Sequence, residues 1–162
     1  MTDIRAVALD VDGVLTDGTF WWGAGGEELK RFSFADVMGI SIGRRAGLVF
    51  ALISGEDSPL VDRFARKMGI TDVYKGCKDK AAALRLFAEA RGLALSQICF
   101  MGDDVNDVAA LELAGLGAAP AGAQECVRRR AALVTRAEGG RGAVRELIDA
   151  LLAVEHSEQA GR

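Results

Sequence analysis

The stretch VALDVDGVLTDG, residues 7–18, passes straight from apolar residues into two aspartates one position apart, Asp10 and Asp12. The run 4–9 has the length and apolar character of a strand buried on both faces, as in a parallel sheet. Two like charges at its end repel unless a cation sits between them. The stretch therefore predicts a buried strand whose carboxyl end opens onto a cation-dependent site.

The same grammar repeats outward along the chain. Short apolar runs at 4–9, 48–53, 72–74, 97–101, 115–118 and 132–134 alternate with helical patterns at 38–46, 59–68, 80–91, 105–114, 124–130 and 142–154. Glycines at 47, 69, 92 and 115 mark helix-to-strand junctions. The pattern is that of an α/β protein with a doubly wound parallel sheet. Residues 18–34 break it: GTFWW and ELKRFSF flank a glycine-rich turn at 23–26, which reads as a small β-hairpin inserted after the first strand. The expected organisation is one domain over 1–154 with a polar, frayed tail over 155–162.

Composition narrows the partners. A chain of 162 residues, half of them hydrophobic, fits one core. A net charge of −3, with Arg128-Arg129-Arg130 as the nearest basic run, gives no reason to expect nucleic acid or an anionic membrane. An apolar span of about 20 residues and a basic-then-apolar leader are both missing from the pattern, so a cytoplasmic protein is expected. Cys77, Cys99 and Cys126 are odd in number and widely spaced, which predicts reduced thiols and neither disulfides nor a zinc knuckle.

In a doubly wound sheet, ligands bind beyond the carboxyl ends of the strands. Asp10 and Asp12 follow the first strand, Ser54 the second, and Gly102-Asp103-Asp104 the strand over 97–101, while Lys80 opens a helix. Clustered carboxylates with a hydroxyl and a lysine suit Mg²⁺ and a phosphate ester. Asp10 is then a nucleophile that forms an aspartyl-phosphate, and Asp12 the acid and base. Ser54 and Lys80 would hold the phosphoryl oxygens. Asp107, four residues after Asp103, is placed to orient Lys80. Simpler roles compete. Ser54 also suits a helix cap, and Asp104 and Asp107 suit first-turn charges. Glu56 and Lys67 also read as a solvated pair, and Trp21 and Trp22 as packing against another subunit. Arg141 either belongs to a plain helix start or reaches a neighbour's substrate.

Taken in order, DVDGVLTDG, ISG, KDKAAAL and MGDDVNDV resemble the four motifs of haloacid dehalogenase-like phosphatases over nearly the whole chain. The hairpin in place of a cap domain and the motif AEGGRGAVREL resemble the branch acting on 3-deoxy-ulosonate phosphates. That resemblance implies a Mg²⁺-dependent homotetramer hydrolysing a phosphorylated sugar acid, with hairpins assembled centrally and a neighbouring subunit helping to close each site. It implies Asp10 as nucleophile, Asp12 as acid and base, and a metal held by Asp10, the Asp12 backbone carbonyl and Asp103. It implies phosphate held by Ser54, Gly55 and Lys80, with Asn106 nearby. Glu56 and Lys67 resemble the members acting on nine-carbon acids, as in sialic acid biosynthesis, so a nonulosonate 9-phosphate is the expected substrate. The eight-carbon 3-deoxy-manno-octulosonate 8-phosphate is the alternative. A phospho-acceptor module and a silent regulatory domain are the non-enzymatic alternatives. The chain departs from the branch at Ser54, where Thr is frequent, and at Asp36-Val37, where Asp-Gly is usual.

Overall fold

The computed structural model describes residues 3–160, with side chains as far as Ala153. Its elements are β1 (Ala6–Leu9), β2 (Trp21–Trp22), β3 (Glu28–Leu29), α1 (Phe34–Arg45), β4 (Val49–Ile53), α2 (Pro59–Met68), β5 (Asp72–Tyr74) and α3 (Lys80–Arg91). They continue with β6 (Ile98–Met101), α4 (Val108–Leu113), β7 (Leu116–Ala119), α5 (Glu125–Arg128), β8 (Leu133–Val134) and α6 (Ala143–Ala160).

Six strands form one parallel sheet in the order β5-β4-β1-β6-β7-β8. The chain runs outward from β1 in one direction, then returns to its other side, so β1 and β6 flank the point where strand order reverses. A crevice opens beyond the carboxyl ends there. β2 and β3 pair separately as the antiparallel hairpin, with Trp21 opposite Leu29.

Side-chain alternation divides the core in two. Val7 and Leu9 of β1 join Phe50, Leu52, Phe64 and Leu147 on one face of the sheet. Ala6 and Ala8 join Ile53, Leu84, Phe87 and Phe100 on the other. Full burial of such aliphatic and aromatic side chains contributes about 1.5–3 kcal/mol each. Truncating the fully buried Phe100 to Ala is therefore expected to cost about 3–5 kcal/mol.

Local chemistry fixes the helix starts. The Ser58 hydroxyl accepts the Leu60 N–H with Pro59 in the first turn, and Asp79 accepts the Ala82 N–H, which makes Lys80 the first residue of α3. Three elements depart most from the sequence expectation, the others by no more than two residues at an end. α1 begins at Phe34 rather than residue 38, because Ser33 caps it by accepting the Ala35 N–H. The helix expected over 105–114 divides into a 3₁₀ turn, Val105–Asp107, followed by α4, because Asp104 and Asp107 cap the turn reciprocally. α6 continues to Ala160, over part of the segment expected as a tail, in keeping with its Ala, Glu and Gln content. Residues 161 and 162 of that segment lie outside the described residues.

Candidate active site

Leu9 of β1 pairs with Met101 of β6, so the two strands end level and release Asp10 and Asp103 side by side at the switch point. Lys80 reaches the same place from α3. Its Nζ donates to Asp10 Oδ1 at 2.8 Å and to Asp107 Oδ1 at 2.6 Å. The other Asp107 oxygen accepts the backbone N–H groups of Asp103 (2.9 Å) and Asp104 (3.1 Å). Asp107 thus orients Lys80 while tying down the loop that carries Asp103. Gly13 completes this wall. At φ +86° its backbone suits glycine, and a Cβ there would lie 1.8 Å from Asp103 Oδ2.

The three charges of Asp10, Asp103 and Asp107 face one lysine. Burial, then the neighbouring Asp107, raise the Asp10 carboxyl well above the usual carboxylate range despite its bond to Lys80. Burial first, and the charges of Asp107 and Asp104 after it, push Asp103 up to about 6, partly opposed by its bond to Asp10. Burial alone would lower Lys80, but Asp10 and Asp107 more than reverse this and hold its ammonium above the ordinary value. One oxygen from each of Asp10, Asp103 and Asp107 lies within 4.8 Å of the others. Hard oxygen donors with uncompensated negative charge fit a divalent cation such as Mg²⁺.

Most of the sequence-derived site residues meet in one polar cleft. Asp10, Asp12, Lys80 and Asp103 line its floor, with Gly55, Glu56, Asp104 and Asn106 around them. Asp104 also caps the 3₁₀ turn through the Val105 N–H. Ser54 is buried behind this lining, and its hydroxyl oxygen accepts the Glu56 N–H at 3.1 Å. The cap of α2 is Ser58, so Ser54 is free of that role.

Lys67 lies elsewhere. It lines an adjoining, mainly apolar groove with Phe34, Phe64 and Leu60, and its Nζ sits 5.7 Å from the Phe34 ring centroid. Arg141 is exposed, its guanidinium 3.9 Å from Glu138. Trp21 and Trp22 are 71% and 73% exposed.

The sequence reading gave no site role to Lys30, and none to Gly139 and Gly140 beyond their place in AEGGRGAVREL. Lys30, just past the hairpin, pairs with Asp12 at 2.9 Å; the only signal was the alternation in ELKRF, which sends every second side chain inward. Gly139 and Gly140 pack on the turn after β1, with the Gly140 N–H donating to the Val14 carbonyl at 3.1 Å. Asp36, at the departure from the branch pattern, is buried away from the cleft and caps α6 through the Arg145 N–H.

The sequence model of haloacid dehalogenase-like hydrolases matches residues 50–147. The 3-deoxy-D-manno-octulosonate 8-phosphate phosphatase of Escherichia coli K12 is 40% identical over 153 residues, which span 94% of this chain and 81% of that protein. The crystal structure of the Moraxella catarrhalis phosphatase of the same name, in complex with magnesium, phosphate and KDO, superposes with a TM-score of 0.91 at 35% identity, covering 94% of this chain and 87% of that one. The Yersinia pestis enzyme superposes with a TM-score of 0.91 at 37% identity, covering 94% and 82%. Among the described residues, no helix is long and apolar enough to cross a membrane.

Proposed function

Because the chain belongs to the haloacid dehalogenase-like hydrolases, we propose that it is a Mg²⁺-dependent phosphomonoesterase that cleaves a 3-deoxy-2-ulosonic acid phosphate through an aspartyl-phosphate on Asp10. The observation that carries this reading is the convergence of Asp10, Asp103, Asp107 and Lys80 at the switch point. The magnesium, phosphate and KDO held by the Moraxella relative support it.

The chain's own residues supply a balanced sequence. An Asp10 oxygen attacks phosphorus, the bond from phosphorus to the sugar oxygen breaks, and Asp12 delivers a proton to that oxygen. Asp12 then takes a proton from water, which attacks the acyl phosphate, frees inorganic phosphate and regenerates Asp10. Lys80, the Ser54 hydroxyl and the Gly55 backbone hold the phosphoryl oxygens, with Asn106 beside them. Groups of this kind each contribute a factor of about 10²–10⁴. Asp10, Asp103 and the Asp12 backbone carbonyl would hold Mg²⁺, which supplies positive charge against the phosphoryl oxygens.

The curated relatives support an eight-carbon substrate, by name 3-deoxy-D-manno-octulosonate 8-phosphate. Glu56 supports the nine-carbon reading. It stands in the cleft, where its carboxylate accepts from hydroxyls or an amino group of a longer sugar, and Lys67 in the adjoining groove would pair with the acid. A side-by-side kcat/KM comparison of the two phosphates with Mg²⁺ decides. Preference for the nine-carbon ester, lost in Lys67→Ala through KM, supports the second reading; preference for the eight-carbon ester removes it. The exposed Trp21 and Trp22 support assembly through the hairpin into a homotetramer, which light scattering tests directly.

A further inference from the structure

Lys30 reaches a residue of the cleft from the hairpin. Its side chain is only 4% exposed, and its Nζ lies 2.9 Å from Asp12 Oδ1 and 3.0 Å from Oδ2, so the ammonium straddles both carboxylate oxygens. A buried ammonium requires an anionic partner. Glu28, also on the hairpin, is available, yet it stands off at 3.7 Å. The partner taken is the carboxylate that faces the cleft.

The segment carrying Lys30 is pinned on both sides. The Phe32 ring stacks on Phe64 of α2 with centroids 4.7 Å apart and planes at 18°. On the opposite side, Arg31 pairs with Asp17 at 3.5 Å, in the turn that follows Asp12. Exposure alternates from 28 to 32, so Lys30 and Phe32 point inward together. Backbone and stacking thus deliver the ammonium to one place.

We propose that Lys30 is a positioning residue: it holds the Asp12 carboxylate over the cleft and makes the hairpin part of the reaction within each chain. The inference rests on the assignment of Asp12 as acid and base. A carboxylate in a turn beyond a strand otherwise rotates among several χ1 and χ2 orientations. A reacting group misplaced by about 1 Å costs on the order of 10²-fold in rate.

The test uses Lys30→Gln and Lys30→Arg in the full chain, with the sugar-acid phosphate and with p-nitrophenyl phosphate, whose leaving group departs without a proton. Lys30→Gln is expected to lower kcat on the sugar ester on the order of 10–100-fold. KM should stay within about threefold, because ground-state binding is untouched. Lys30→Arg should recover part of the loss. With the aryl ester, Lys30→Gln should keep a burst of one nitrophenol per site and then turn over slowly, because breakdown of the acyl phosphate still needs Asp12. A changed KM with kcat intact would make Lys30 a sugar contact, and a lowered Tm with kcat intact would make it purely structural; either overturns the proposal. Full activity in Asp12→Asn would instead remove the acid–base assignment itself. Should Lys30→Gln not fold, Phe32→Leu loosens the same segment without touching the charge, and an unchanged kcat there overturns the proposal.

Discussion

Asp36, in the first turn of α1, accepts the backbone N–H of Arg145 at 3.1 Å, so one helix caps the start of another 109 positions away. Its second oxygen is buried without a hydrogen-bond partner among the described residues. Burial raises the Asp36 carboxyl above its ordinary value, against the backbone donors of α6 that favour the charge. The folded form therefore binds its proton more tightly than the unfolded chain, and its contribution to stability declines as pH rises from the ordinary carboxylate range through the folded value. Asp36→Asn should keep the acceptor and flatten this dependence. Asp36→Ala should cost about 1–2 kcal/mol at neutral pH, read by denaturant unfolding.

Asp10→Asn should end phosphate release, with turnover at least about 10³-fold lower, since the amide is no nucleophile. The fold should survive. The substitution removes one of three crowded carboxylates while leaving an acceptor for Lys80, so the Tm in chelator should equal or exceed that of the parent. Calorimetry beside a phosphate assay checks both, and residual turnover near the parent value would remove the covalent mechanism.

Asp10 and Asp103 both have raised folded values, Asp103 at about 6. Without metal, the folded state binds more protons than the unfolded chain, and the Asp103 contribution to stability falls as pH rises toward and through about 6. A divalent cation competes with those protons, so the stabilisation by Mg²⁺ should grow over the same interval. The difference between Tm curves recorded in excess Mg²⁺ and in chelator isolates this effect from the other carboxyls. A difference constant from acid to neutral pH would show that these carboxylates do not hold the ion.

A Cβ at Gly139 would lie 1.9 Å from the Gly13 carbonyl oxygen. Gly139→Ala must therefore displace the turn after β1, at about 1–3 kcal/mol, and kcat should fall with it because that turn follows Asp12. Gly122→Ala, whose nearest neighbour would be Glu138 Cγ at 3.9 Å, is the matched control and should change neither. Equal effects in the two variants would separate the turn from catalysis.

The sheet and the cleft floor were legible because each signal is local. An apolar run followed at once by Asp10, Ser54 or Asp103 announces both a strand and the end at which it stops. Lys80 was legible because it opens a helix, and the structure adds Asp79 as the cap that fixes that start. What escaped depends on distant pairing. A two-residue strand does not say which face of the hairpin turns inward, so the alternation around Lys30 could not disclose that it reaches Asp12. Glu56 and Lys67 were named through resemblance alone, which did not say that Val61, Phe64 and Met68 set the buried side of α2 and leave Lys67 over Phe34, in the groove beside the cleft. Asp36 stood out as a departure in sequence, while its partner lay at the far end of the chain.

The support that Gly139 and Gly140 give to the turn at Gly13 bears on how the protein is made. The ribosome delivers the segment bearing Asp10 and Asp12 well over a hundred residues before the pair that braces it. A polypeptide terminated ahead of Gly139 would hold every side chain assigned to the reaction and still lack both the brace and the buried Val144, Leu147 and Ile148 of α6, so premature stops late in translation should yield an inert product instead of a weakened one.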